Sequence, residues 1–408
     1  MNVGFIGLGK LGLPCALAIE SKGHRIYGYD IDPSIVTILD DRVLPYTEEG
    51  STQLLNRHKI VLSDVGGVVE NSDIIFVPIQ TPHDERFEGK TRIPEDRKDF
   101  DYTFLKNGIS NLSKEIENQD NDKIVIIIST VLPGTIEREI LPIIKDNHKF
   151  KLCYNPFFIA MGTTIRDFLN PEFVLFGTEL DETAEKVKNF YKTIHNKPFY
   201  RTTIKDAELI KVTYNTFIGM KIGFANTVME ICHRTGCSVD NVMGALKMAD
   251  DRLISTRYLS GGMGDGGGCH PRDNIAMSWL GEKINISFNF FEHLMDGREK
   301  QTEFLADLML EHEGPYYILG KTFKKETNIT TGSPSILLKN ILDERGIEVV
   351  QYDPKVDSEV PVFLKGTYIV TVEHEEFKNF DFPMGSVVID VLRFLDLGNQ
   401  VKHIKVGN

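Results

Sequence analysis

The stretch Gly7-Leu8-Gly9-Lys10-Leu11-Gly12 constrains this chain more than any other. It follows a short apolar run, Asn2–Ile6, that reads as a buried strand, and it precedes Leu13–Ser21, which has helical spacing and is closed by Gly23. A second strand pattern, Arg25–Tyr29, ends at Asp30, 23 residues after Gly7 (30 − 7). Three glycines at this spacing are a weak signal alone. Between a strand and a helix, with an acid at that distance, they form a dinucleotide fingerprint. Gly7 permits the tight turn, Gly9 admits a pyrophosphate, Gly12 lets helix pack on strand, and the helix N-terminus points N–H groups at the phosphates. Asp30 suits ribose hydroxyls and repels a 2′-phosphate, which favours NAD over NADP.

The alternation of strand and helix continues. Strand patterns at Asp73–Pro78, Lys123–Ile128, Lys151–Tyr154 and Phe173–Gly177 run into loops rich in turn residues. In a doubly wound sheet, ligands sit beyond the carboxyl ends of the strands. Thr81 and Pro82 after one strand, and Ser129 and Thr130 after the next, are therefore expected beside the cofactor. The segment from about Asp84 to Asp101 is highly charged without apolar period and reads as a mobile loop.

From about Lys205 the strands stop. A helical pattern of some 28 residues from Asp206 to near Gly236 is long for a globular helix and suits a spine joining domains or subunits. Lys211 and Asn215, spaced i, i+4, project from one face of it. Helices are expected at Val239–Lys247, Asn274–Ile284 and Phe288–Leu310. Among them lies a loop with six glycines between Gly261 and Gly268, followed by Cys269, His270, Pro271, Arg272 and Asp273. Glycine density lets backbone approach a ligand closely, at an entropic cost. A second α/β unit follows, with strands at Tyr316–Leu319, Glu348–Tyr352, Tyr368–Val372 and Val387–Val391, a helix at Ser335–Arg345, and positive candidates Lys321, Lys324, Lys325 and Arg393.

The reading is an α/β chain in three parts. An N-terminal Rossmann NAD domain covers 1–200, a central all-helical domain with a long spine helix covers 201–311, and a C-terminal Rossmann-like domain for a nucleotide sugar covers 312–408. A length of 408 residues accommodates this. The net charge of −13 argues against nucleic acid or an anionic membrane as partner. Five scattered cysteines give no disulfide framework, and no apolar run reaches the ~18 residues of a membrane span. A cytoplasmic setting is expected. A hydride acceptor beside a presented thiol suggests oxidation through a covalent adduct: thiohemiacetal, then thioester, then hydrolysis. That scheme needs a cation or donor for the oxyanion and a base for water, with Lys211, Asn215 and Asp273 as candidates.

The chain resembles the UDP-glucose/GDP-mannose dehydrogenase family over essentially its whole length. The resemblance is carried by Gly7–Gly12 with Asp30, Ser129-Thr130-Val131, Asn155-Pro156, Asp167–Pro171, Ala207–Lys211 with Asn215, Gly266–Cys269 with Asp273, Phe323-Lys324 and Tyr352-Asp353-Pro354. It implies oxidation of the C6 alcohol of a nucleotide sugar to the uronate with NAD, on Cys269 as nucleophile. Lys211 and Asn215 would hold the oxyanion, Asp273 assist, and Thr130 stand near the water. Tyr258, Gly264, Gly266, Phe323 and Lys324 would meet the sugar nucleotide, with Arg252 and Arg393 also on substrate, Arg252 across a dimer interface. A homodimer or higher homo-oligomer through the long helix is implied as well.

Three departures stand out. Where the family usually has a hydrolytic Glu after Asn155-Pro156 and a second acid beyond it, this chain has Phe157 and Met161. Thr331 replaces an Arg that contacts the cofactor, and His270-Pro271-Arg272 follows the cysteine where an aromatic or isoleucine is commoner. Losing a general base costs ~10²–10⁴ in rate, so His270 or Asp273 is expected to substitute. Two other readings remain: a two-electron hydroxyacid-type dehydrogenase that uses Lys211 and Asn215 without the thiol, and a non-catalytic binder of NAD or nucleotide sugar.

Overall fold

A computed structural model describes the chain apart from residues 83, 93, 250–256, 259 and 284–288, and gives only the backbone of 227, 230, 231, 234 and 290. Two compact units emerge: Met1–Pro82 with Phe100–Thr213, and His83–Asp99 with Tyr214–Asn408.

The first unit is built on an eight-stranded sheet. Its strands are β1 (Asn2–Ile6), β2 (Arg25–Tyr29), β3 (Val61–Leu62), β4 (Ile74–Val77), β5 (Lys123–Ile127), β6 (Phe150–Tyr154), β7 (Val174–Gly177) and β8 (Phe199–Thr202), in the order β3-β2-β1-β4-β5-β6-β7-β8. All pairs are parallel except β6 with β7. β4 and β5 are buried along their whole length, and apart from Lys123 at the start of β5 they are continuous apolar runs, as helices on both sheet faces require. Strand order reverses direction between β1 and β4, which brings the loops after these strands side by side. Val61–Leu62 and Phe199–Thr202 were not anticipated. The first is too short to display a period, and the second is largely exposed as an edge strand.

The second unit holds a five-stranded parallel sheet of β9 (Tyr316–Leu319), β10 (Val349–Tyr352), β11 (Thr367–Val370), β12 (Val387–Asp390) and β13 (Lys402–Lys405), ordered β10-β9-β11-β12-β13. β13 is a further strand the sequence did not reveal. The long helix runs Ile204–Thr235, 32 residues, and Val239–Lys247 and Phe290–Leu310 are helical as expected. The α/β class with a helical middle is thus borne out.

Two expectations are corrected. The helix expected from Asn274 starts four residues earlier and spans His270–Lys283. Pro271 is a first-turn residue, where its missing N–H costs nothing, and Asp273 supplies the acid favoured there. The charged segment after Pro82 is not a mobile loop but a pinned arm. Its Phe87 is buried against Ile275 and Met295, Arg97 pairs with Glu292, and Arg92 pairs with Glu303 and Glu344. Arg298 donates to the carbonyl of Gly89 at 2.8 Å, and Asn340 to that of Lys90 at 2.6 Å.

Candidate functional site

The cofactor face of the first unit is formed where β1, β4 and β5 end. Gly7 has φ of 115°, a conformation that requires glycine, and its N–H donates to Tyr29 O at 2.8 Å. A Cβ at Gly12 would lie 2.2 Å from the carbonyl oxygen of Gly7 and 2.9 Å from Pro78, so this glycine serves helix–strand packing. A Cβ at Gly9 would meet nothing within 4 Å, and Gly9 and Lys10 are exposed while Leu8 is buried and Leu11 half-buried. The following helix, Gly12–Glu20, has no side-chain cap, so its leading N–H groups suit a phosphate. Asp30 is held by the N–H of Leu8 at 2.5 Å and of Asp32 at 2.8 Å. The open space at Gly9, the uncapped helix and the fixed acid together fit a dinucleotide.

Thr81 and Pro82 follow β4, and the Thr81 hydroxyl donates to Thr130 O at 2.8 Å. Ser129 is buried and donates to Ile79 O. These bonds lock the two loops together, with Thr130 half-buried at their junction. Lys211, 4% exposed, has its Nζ 5.4 Å from the centroid of the Phe158 ring, a cation–π contact. Phe157 packs edge-on to Phe168 at 5.3 Å and lies 6.3 Å from Phe76, so position 157, where the resemblance implies an acid, is half-buried and packed against the core.

In the second unit Cys269 is half-buried and directly precedes the helix His270–Lys283, its carbonyl accepting from Asp273 N–H at 2.8 Å. A helix N-terminus offers its free N–H groups where a thiolate or an oxyanion on the thiol adduct would carry charge. Asp273 is fully buried, and both its oxygens are engaged, one by Asn215 Nδ2 at 2.5 Å and the other by Arg272 at 2.9 Å. It orients Asn215 and leaves little access for water. His270 is half-buried, its ring edge-on to Tyr258 at 6.5 Å, and Tyr258 is exposed with φ of 65°.

The glycine loop is packed rather than slack. Asn226 of the long helix accepts from Gly262 N–H at 2.8 Å and donates to Met263 O at 3.1 Å. Cβ atoms at Gly266 and Gly267 would meet Phe323 at 3.0 and 3.1 Å, and at Gly264 Arg298 at 3.4 Å. Arg298 is buried, with its Nε 2.8 Å from Asp265 Oδ1, and reaches Gly332 O at 3.2 Å. Phe323 and Lys324 stand on the loop after β9, where Lys324 Nζ is 5.5 Å from the Phe323 centroid. Beneath that loop, burial pushes the Asp353 carboxyl up, but hydrogen bonds from His374 and from the N–H groups of Lys321, Thr322 and Lys355 outweigh it and hold the group down to about 2.

Residues 1–195 match the UDP-glucose/GDP-mannose dehydrogenase family, NAD binding domain, and residues 205–297 match its central domain. The chain belongs to this family. Among its relatives, UDP-glucose 6-dehydrogenase AglM of Haloferax volcanii is 28% identical over 371 residues, covering 87% of this chain and 83% of the relative. GDP-mannose 6-dehydrogenase of Pseudomonas aeruginosa is 26% identical, covering 88% and 82%. The solved UDP-glucose dehydrogenase of Pyrobaculum islandicum matches all of this chain and 97% of its own, with a TM-score of 0.86 and 25% identity. The family is one of NAD-dependent nucleotide-sugar 6-dehydrogenases.

Against that family, Arg252 lies outside the described residues. Arg393 points inward: it pairs with Asp240 at 3.1 Å and donates to Gly261 O at 2.7 Å, steadying the start of the glycine loop. Lys321 pairs with Asp357 at 2.6 Å and Lys325 with Glu373 at 3.1 Å. Thr331 lies 4.0 Å from a Cβ built at Gly268. Arg272, Asn226 and Arg298 were not singled out from sequence. Only Arg272 had a local signal, its place beside Asp273.

Proposed function

We propose that this dehydrogenase oxidises the C6 alcohol of a UDP-glucose-like nucleotide sugar to the uronate, with Cys269 as nucleophile. The observation that carries the reading is the hydrogen bond from Asn215 to Asp273, which ties the long helix to the helix that begins right after the thiol. NAD, when bound by Gly7–Gly12 and Asp30, accepts one hydride in each of two oxidations.

The first oxidation removes a hydride from C6 and a proton from its hydroxyl, leaving an aldehyde. The Cys269 thiolate adds to it, a C–S bond forms, and the carbonyl electron pair becomes an alkoxide steadied by Lys211 and the Asn215 amide. Loss of the second hydride gives a thioester. Water then attacks, the C–O bond forms, and C–S cleavage returns the thiolate. With an apolar ring at Phe157 and Asp273 fully engaged, His270 is assigned as the base for that water, and Thr130 is assigned to the water as well.

Tyr258, Gly264, Gly266, Phe323 and Lys324 are assigned to the sugar nucleotide, with Arg252 and Arg393 completing or bracing its site. The division of labour at 1–200, 201–311 and 312–408, a cytoplasmic setting and a homo-oligomer belong to the same proposal. Leu209 and Phe224, 43% and 52% exposed on the long helix, support the last. Among the described residues no helix is long and apolar enough to cross a membrane.

The test is a panel of nucleotide sugars with wild type and Cys269→Ser, counting NADH per sugar consumed. About two NADH from wild type and loss of steady turnover in the variant are expected. A ratio near one favours a two-electron oxidation, for which the aromatic surround of Phe157 is the motivating observation, and unimpaired turnover by Cys269→Ser ends the thiol mechanism.

A further inference from the structure

We infer that Glu208 is a positioning residue, a carboxylate clasp that holds the loop carrying Thr130 against the helix carrying Lys211. Glu208 sits three residues before Lys211 in the long helix and is fully buried. Its two oxygens accept from different backbone groups, Gly134 N–H at 2.5 Å and Ile136 N–H at 2.8 Å. Those N–H groups open the Ile136–Ile140 turn that follows the Ser129–Thr135 loop. An acceptor there satisfies donors that the turn itself leaves unpaired. The same loop is held from the other side by the Tyr102 hydroxyl, 3.4 Å from Leu132 N and 3.3 Å from Thr135 Oγ1. Thr130 and Lys211 are thus positioned through one side chain.

The clasp is bidentate only as a carboxylate, because a protonated acid keeps one good acceptor and turns an O–H toward an N–H. Burial pushes the Glu208 carboxyl up to about 7, against the lowering pull of the Ile136 and Gly134 N–H groups and of the Lys205 and Arg138 charges. Lys205 faces it from its own helix and Arg138 from the turn, while Glu137 stands 3.6 Å from Lys205 Nζ. With a value near 7, the carboxylate fraction falls about tenfold between pH 8 and pH 6. The folded state binds this proton more tightly than the unfolded chain, whose value is near 4.5. Stability from this group therefore decreases as pH rises through that window and is not lost on acidification. Positioning and stability move in opposite directions with pH.

The experiment compares wild type with Glu208→Gln, which keeps one acceptor and the volume. Amide exchange of the 130–140 segment, normalised for intrinsic rate, is expected to lose about tenfold protection from pH 8 to pH 6 in wild type and to be pH-independent and low in the variant. Turnover of UDP-glucose with NAD should follow the same profile, while the melting temperature of wild type gains on that of the variant as pH falls. Unchanged protection in the variant overturns the clasp. Altered protection with an identical pH profile of kcat overturns its link to catalysis. The kinetic arm rests on the dehydrogenase reading, and a chain that turns over no sugar fails that reading while exchange still decides the clasp.

Discussion

The two glycine-rich stretches, Gly7–Gly12 and Gly261–Gly268, look alike on paper and do different things. In the first, the glycine at the heart of the fingerprint, Gly9, faces open space, and only Gly12 is needed for packing. In the second, most glycines serve the protein's own contacts. Cβ atoms at Gly261 and Gly262 would meet Met229 at 2.7 Å and Leu392 at 2.6 Å, and Gly267, with φ of 83°, lies against Phe323. Gly268 alone in that loop has no neighbour nearer than 4.0 Å, and it is the residue next to Cys269. Glycine density thus has two physical origins, and the glycines left facing space are those beside the dinucleotide helix and beside Cys269.

The largest effect expected from this contrast is on folding. Gly267→Ala puts a side chain at positive φ against an aromatic ring and should lower stability by about 1–3 kcal/mol, read as a shift of the urea midpoint. An unchanged midpoint would mean the loop is as pliant as its composition suggests. Next come Gly9→Ala and Gly268→Ala. Both should melt like wild type, while the first raises KM for NAD and the second KM for the nucleotide sugar, each by about tenfold, or about 1.4 kcal/mol. Should either variant unfold instead, its open space is not a ligand's. The smallest effect concerns the floor beneath Phe323. The Asp353 carboxyl is held at about 2, below an ordinary 3.8, so its contribution to stability is present above pH 4 and lost as pH falls toward 2. An acid titration of Asp353→Asn should lack that part of the fall.

How much of this was legible depended on distance along the chain. Gly7–Gly12, Asp30 and the parallel strands follow local periods, and they were read with errors of a residue or so at the ends. Lys211 and Asn215 could be placed on one helical face for the same reason. The arm at 84–99 could not be read, because the partners that order it, Glu292 and Glu303, lie 195 and 211 residues from Arg97 and Arg92. Asp273 reads as a candidate base from its place after Cys269, whereas its bond to Asn215, 58 residues away, is a tertiary contact that no local pattern shows. The early start of the helix at His270 was locally visible in Pro271, but a proline after six glycines reads more easily as the end of a loop than as a first turn.

Phe157 also bears on the fold. Its ring is part of an aromatic set with Phe76 and Phe168, and these three shape one another. An acid placed at position 157 would therefore set a charge beside rings at a half-buried position, a cost to the fold before it was a gain to catalysis. Position 157 is thus coupled to its aromatic neighbours, so a side chain of different size or charge there alters the packing of Phe76 and Phe168 as well as the chemistry of its loop.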